Sequence, residues 1–216
     1  MHEARSIADM REEYSQALLT KASVAEEPIA QLRVWLDAAR AVEEREPTAM
    51  ALATVSGDGR PSVRMVLLNG LDEGGLAFYT NLESRKGRQL KANPNAALTF
   101  WWPALERQVR VEGRVERIAE AVAEAYFSSR PLESRLGAWA SPQSRPLESR
   151  EELDARLEAI RSEFDDDDIP LPPHWGGFRV VPDRFEFWQG RASRLHDCIE
   201  YLLDTQGDWA ITRLAP

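Results

Sequence analysis

The 216-residue chain is long enough for one sizeable core or two small ones. Its 36 acidic residues outnumber 27 basic ones, for a formal charge of −9, which argues against nucleic acid or an anionic membrane as main partner. The single cysteine, Cys198, excludes an internal disulfide framework, and neither an apolar signal segment nor a membrane-length apolar run is read, so a cytoplasmic location is expected.

Residues 1–27 read as an N-terminal arm in which Arg11 and Tyr14 are spaced to share a helical face, though a frayed segment fits equally. From Pro28 to Glu44, Ile29, Leu32, Trp35, Leu36 and Ala39 recur at helical spacing and predict a core-packing helix. Ala49–Val55 is a β-prone run that Ser56–Gly59 turns into a strand ending at Leu68. Leu76–Thr80 reads as a strand forming a hairpin with Val63–Leu68 across Asp72–Gly75. Ser84 is placed to cap a helix that Asn93-Pro94 ends. Strands are expected at Ala97–Trp102 and Arg107–Arg117, the latter with Val109, Val111, Gly113 and Val115 on one face. Helices are predicted over Ile118–Ser129 and Ser149–Phe164, and strands at Phe178–Val181, Arg184–Trp188, Arg194–Leu203 and Trp209–Arg213. Asp165–Asp168 reads as a solvated loop, because adjacent carboxylates make a poor metal cage, and no metal is expected. The elements give one domain over 28–216, mainly β with flanking helices: an antiparallel sheet that closure into a barrel would leave without edges.

Three groups of residues carry candidate chemistry. Arg64, Arg85 and Lys86 gather cations beside the helix start at Ser84, where free N–H groups and the helix dipole suit a phosphate; the alternative is a solvated basic helix. Tyr126, Arg130 and Ser134 offer a phenol, a guanidinium and a hydroxyl, suited to a phosphate monoester, or a helix end that Arg130 merely caps. Period-two spacing puts Arg194, His196 and Cys198 on one strand face, although a lone strand histidine is more often structural. No nucleophile–base pair is found that would argue for covalent catalysis.

The strings R-M-V-L-L, F-Y-T-N-L-E-S-R-K-G, E-R-Q-V-R-V-E-G, Y-F-S-S-R-P, W-G-G-F-R-V, E-F-W-Q-G, R-L-H-D and R-L-A-P resemble the pyridoxine (pyridoxamine) 5′-phosphate oxidase family from about Ala49 to Pro216, and more weakly back to Arg11. The resemblance implies an FMN-binding split barrel, a homodimer with flavin sites at its interface, and oxidation of pyridoxamine or pyridoxine 5′-phosphate by dioxygen with release of peroxide. It implies that Arg64, Met65, Val66, Leu67, Tyr79, Thr80, Arg85, Lys86, Gln108, Gln143, Ser144 and Trp188 contact FMN. It assigns the substrate to Tyr126, Arg130, Ser134, Arg11 and Tyr14, with Arg194 and His196 positioning the reacting ring. Asn69 stands where the family usually has a substrate-phosphate lysine, and Cys198 where it usually has an FMN-contacting arginine. Those two departures keep open a diverged flavoprotein with another substrate, or a catalytically weak FMN or vitamer binder.

Overall fold

The computed structural model describes Tyr14, residues 17–164 and residues 168–216. Its strands are β1 (Ala49–Val55), β2 (Pro61–Leu67), β3 (Gly70–Asp72), β4 (Gly75–Asn81), β5 (Asn95–Trp102), β6 (Arg107–Arg117), β7 (Trp175–Gln189), β8 (Asp197–Leu203) and β9 (Trp209–Leu214). They hydrogen-bond in the order β2-β1-β5-β6-β7-β4-β3, with β8 pairing β7 and β9 pairing β8. The expected class, an antiparallel sheet with flanking helices, is observed. No helix among the described residues is long and apolar enough to cross a membrane. The chain divides into two compact units, one of Thr48–Leu98 and Glu112–Pro182, the other of Thr99–Val111, Asp183–Pro216 and the described residues up to Pro47.

In the first unit, β1 and β2 form the hairpin expected around Ser56–Gly59, with Leu52 opposite Arg64. Alternation sends Met50, Leu52 and Thr54 inward, and leaves Val63, Met65 and Leu67 exposed on β2. The hairpin expected between Val63–Leu68 and Leu76–Thr80 is not formed. The Leu68 N–H donates to the Thr48 carbonyl and the Asn69 N–H to the Ala77 carbonyl, so the chain changes partner between these residues. The short β3 then pairs with β4.

The predicted helices appear as α2 (Arg85–Ala92), α3 (Glu120–Ser128) and α5 (Arg150–Glu163), joined by an unforeseen α4 (Leu132–Ala140) after Pro131. Ala123 and Phe127 of α3, Leu136 of α4, Ile169 and Trp175 form one buried cluster. Each large side chain buried there contributes roughly 1.5–3 kcal/mol.

The three short strands expected after Trp175 are also rearranged. The first two are one continuous strand, β7, running through Pro182. Pro182 fits because Gly113 lies beside it: a Cβ there would stand 2.1 Å from the Val181 carbonyl oxygen.

In the second unit, α1 (Pro28–Ala41) starts with proline in its first turn and buries Leu32, Trp35, Leu36 and Ala39. It stops short of the predicted Glu44 because Glu43 turns left-handed at φ 56°. Trp35 packs edge-on against Phe187 at 5.2 Å. The strand expected from Arg194 begins only at Asp197, since Ala192–Arg194 form a 3₁₀ turn with Ser193 and Arg194 at φ 57° and 61°. The shared strand face predicted for Arg194, His196 and Cys198 is therefore not formed; only Cys198 lies on the strand.

Candidate cofactor and substrate site

The cationic cradle forms on β2 and at the start of α2. The Arg64 guanidinium donates to the Leu52 carbonyl at 3.0 Å, to Thr54 Oγ1 at 2.6 Å, to Gln89 Oε1 at 3.3 Å, and to the Ser62 hydroxyl. The Ser84 side chain caps α2 by accepting from the Gly87 N–H at 3.3 Å. Lys86 Nζ donates to Thr80 Oγ1 at 2.9 Å and Gln143 Oε1 at 2.7 Å. Every acceptor named here is neutral, and among the described residues no carboxylate is paired with Arg64 or Lys86. The electrostatics follow: burial and the nearby Arg64 charge pull the Lys86 ammonium down to about 8, and burial with Arg85 lowers Arg64. Such a set is suited to an incoming phosphate.

Lys86 lines one part of a cavity of about 500 Å³ whose wall is aromatic. The Tyr79 ring stacks on Tyr126 at 4.1 Å and on Trp175 at 5.4 Å. The Arg130 guanidinium lies 5.0 Å over Trp175. Its Nη1 is buried with no hydrogen-bond partner among the described residues, although a buried donor normally has one. Asn69 Nδ2 donates to the Tyr126 hydroxyl at 2.7 Å. Ser134, on the first turns of α4, lines the same cavity, as do Met65, Val66 and Leu67. Two anion-seeking side chains, Lys86 and Arg130, thus line one cavity with a stack of rings in its wall.

Gln108, Trp188, Arg194, His196, Cys198 and Tyr14 belong to the second unit. The Trp188 and His196 rings meet at 4.5 Å, and Tyr14 lies 5.8 Å from each. His196 Nδ1 accepts from the Arg191 backbone N–H at 3.0 Å. In the neutral ring the proton is then on Nε2, which is left as a donor. Arg194 is exposed on its left-handed turn, and Gln108 is half-buried on β6. Cys198 is 4% exposed and pairs across from Trp188. Burial and the nearby Glu186 and Asp197 charges push its thiol up, so it is not primed as a thiolate. Arg11 lies outside the described residues.

The sequence reading gave no role to Trp175, the third ring of the stack, or to Gln89 and Thr54, which orient Arg64. The Trp-Gly-Gly string was the available signal for the first. The others needed the β1–β2 register. Left-handed non-glycine residues are a further signal absent from sequence: Ser144, Ser193 and Arg194 all adopt φ above +50° within or beside the predicted site. Among the described residues no group of three or more His, Cys, Asp and Glu side chains is placed to hold a metal.

Residues 36–164 match the family described as pyridoxamine 5′-phosphate oxidase, and residues 175–216 the pyridoxine 5′-phosphate oxidase C-terminal dimerisation region. The chain is 56% identical over 211 residues to a pyridoxine/pyridoxamine 5′-phosphate oxidase of Bordetella petrii, covering 98% of this chain and 100% of that protein. It is 57% identical over 212 residues to the Synechocystis protein of the same name, covering 98% of each. Among solved structures, PhzG from Burkholderia lata, in complex with tetrahydrophenazine-1-carboxylic acid, superposes with TM-score 0.87 at 32% identity, over 94% of this chain and 100% of that one. A pyridoxamine 5′-phosphate oxidase-related, FMN-binding protein of Nostoc punctiforme shares the fold, with TM-score 0.71 at 19% identity over 89% of this chain and 100% of that one.

Proposed function

The chain belongs to the pyridoxamine 5′-phosphate oxidase family, and from that premise we propose that it is an FMN-dependent oxidase converting pyridoxamine or pyridoxine 5′-phosphate to pyridoxal 5′-phosphate. Dioxygen is the electron acceptor in this reading and hydrogen peroxide the second product. The observation that carries it is the cavity with two anion-seeking ends, Lys86 beside the α2 start and the unpartnered Nη1 of Arg130. A phosphorylated cofactor and a phosphorylated substrate would satisfy one end each. The match of residues 175–216 to a dimerisation region supports a homodimer.

The fit to FMN rests on the donor set: Arg64, Arg85, Lys86 and the free N–H groups at the start of α2 would hold its phosphate, and Thr80, Gln143 and Ser144 would contact it further. When bound, FMN supplies the hydride-accepting ring and the route for electrons to dioxygen. The chain's own residues bind and orient. Arg130, Tyr126 and Ser134 would take the substrate phosphate, with Asn69 ordering the Tyr126 hydroxyl. His196, its tautomer fixed by the Arg191 N–H, keeps Nε2–H as a donor, and with Arg194 it is the pair that the family resemblance assigns to the substrate ring.

A second reading is favoured by Asn69. With one guanidinium and neutral donors, the substrate end also suits a singly charged anion such as a carboxylate on a partly reduced ring, as in the tetrahydrophenazine-1-carboxylic acid bound to PhzG. The test is turnover: purified protein given FMN should release peroxide with pyridoxamine 5′-phosphate. A coloured protein that oxidises only carboxylic acids on partly reduced rings, with two electrons and two protons passing to dioxygen, would select the second reading, and failure to bind FMN would sink both.

A further inference from the structure

Asp197 follows His196 directly, yet its carboxylate turns to the N-terminal segment. Oδ2 accepts the Leu19 backbone N–H at 3.1 Å, and Oδ1 accepts Arg213 Nη1 at 2.6 Å. Arg213, on β9, returns its Nη2 to the Leu19 carbonyl at 2.6 Å. The ion pair thus binds both polar groups of one peptide residue, with Leu19 itself 5% exposed. A third contact, Arg191 Nη1 to the Ala17 carbonyl at 3.4 Å, extends the grip toward Tyr14. Tyr14 is the residue whose ring lies against Trp188 and His196. It packs so closely that a Cβ on Gly190 would stand 2.8 Å from Tyr14 Cγ.

The structure assigns Asp197 and Arg213 as positioning residues: a main-chain latch that holds the N-terminal segment and so seats Tyr14 on the His196–Trp188 pair. Neither side chain needs to touch substrate. Both act through Leu19, five residues from Tyr14, and Asp197 is itself the first residue of β8, directly after His196. A main-chain latch holds residue 19 by its backbone N–H and carbonyl rather than by its side chain. It requires the acid and the guanidinium, because an amide at 197 offers Arg213 a weaker partner and leaves its charge uncompensated. The functional part of the inference rests on the proposed role of His196 in substrate binding; the latch itself does not.

The test uses Asp197→Asn and Arg213→Gln in the full-length, FMN-loaded protein. Hydrogen exchange at the Leu19 amide should quicken at least about tenfold in both variants, while β7 and β8 keep their protection. A 3-fluorotyrosine at position 14 should lose the ring-current shift imposed by Trp188 and His196. KM for pyridoxamine 5′-phosphate should rise about tenfold with a smaller change in kcat. Combining either variant with Tyr14→Ala should add little beyond the larger single effect. Unchanged exchange and fluorine resonance would overturn the latch. If both move while KM stays, the positioning role falls. A parent protein without turnover removes the oxidase reading instead, and exchange and resonance still decide the latch.

Discussion

Lys86 donates to the Gln143 side-chain oxygen at 2.7 Å, an ammonium resting on an amide rather than on a carboxylate. Its ionisation, pulled down to about 8 by burial and by Arg64, sets a pH dependence. Below pH 8 the ammonium is charged with or without FMN, so affinity should be flat. A bound phosphate favours the charged form, so above pH 8 binding must take up a proton, and FMN affinity should fall as pH rises. Stability without FMN carries the opposite sign: the unfolded chain keeps this proton up to the ordinary lysine range, so the contribution of Lys86 improves between pH 8 and about 10.4. FMN titrations across pH 6–10 check this, and Lys86→Met should flatten the profile.

Arg85→Ala should weaken FMN binding about tenfold or more, whereas Arg161→Ala should leave it unchanged. Arg85 opens α2 within the cation cluster, while Arg161 pairs with Glu133 at 2.7 Å on α5. Flavin fluorescence titration of both variants decides the matter. Equal affinities would remove the cradle from the account.

Asn69→Lys places an ammonium beside the Tyr126 hydroxyl that Asn69 now contacts. It should lower KM for a phosphorylated substrate about ten- to a hundredfold, with little effect on FMN affinity. Cys198→Arg is predicted to behave differently from its counterpart at position 69. Cys198 is 4% exposed, so a guanidinium there should lower the melting temperature of the FMN-free protein, and any gain in flavin affinity has to be read against that loss. Calorimetry and FMN titration separate the two effects.

Gly87→Ala tests the backbone that aims α2. A Cβ at Gly87 would lie 2.1 Å from the Leu82 carbonyl oxygen, so the helix start must shift. A loss of about 1–3 kcal/mol in denaturant midpoints is expected, together with weaker FMN binding. A stable variant with intact FMN affinity would show that the helix start can move without cost.

Much of this was legible in the sequence because it is local. Ser84 capped the predicted helix, and the alternation of Val109, Val111 and Val115 gave the inward face of β6. What failed was partner choice. Nothing near Leu68 and Asn69 announces that their N–H groups go to Thr48 and to Ala77, and that exchange replaced the expected hairpin. Phe178–Val181 and Arg184–Trp188 read as two strands because the sequence cannot show that Gly113 stands beside Pro182 within one continuous β7. The Arg194–His196 geometry was misread for a related reason. Period-two counting assumes a strand, and two left-handed residues at 193 and 194 break the period. Tyr126, Arg130 and Ser134 were legible as a set, while Trp175 entered the site only through the stack on Tyr79.

The stack also gives the protein an optical gauge. Trp175 lines the cavity, its ring parallel to Tyr79 within 3°. A flavin absorbs where indole emits, so a ligand entering this space would drain the excited state of Trp175 by energy transfer. Emission from the single-tryptophan background in which only Trp175 remains would then report occupancy in real time, without label and without turnover.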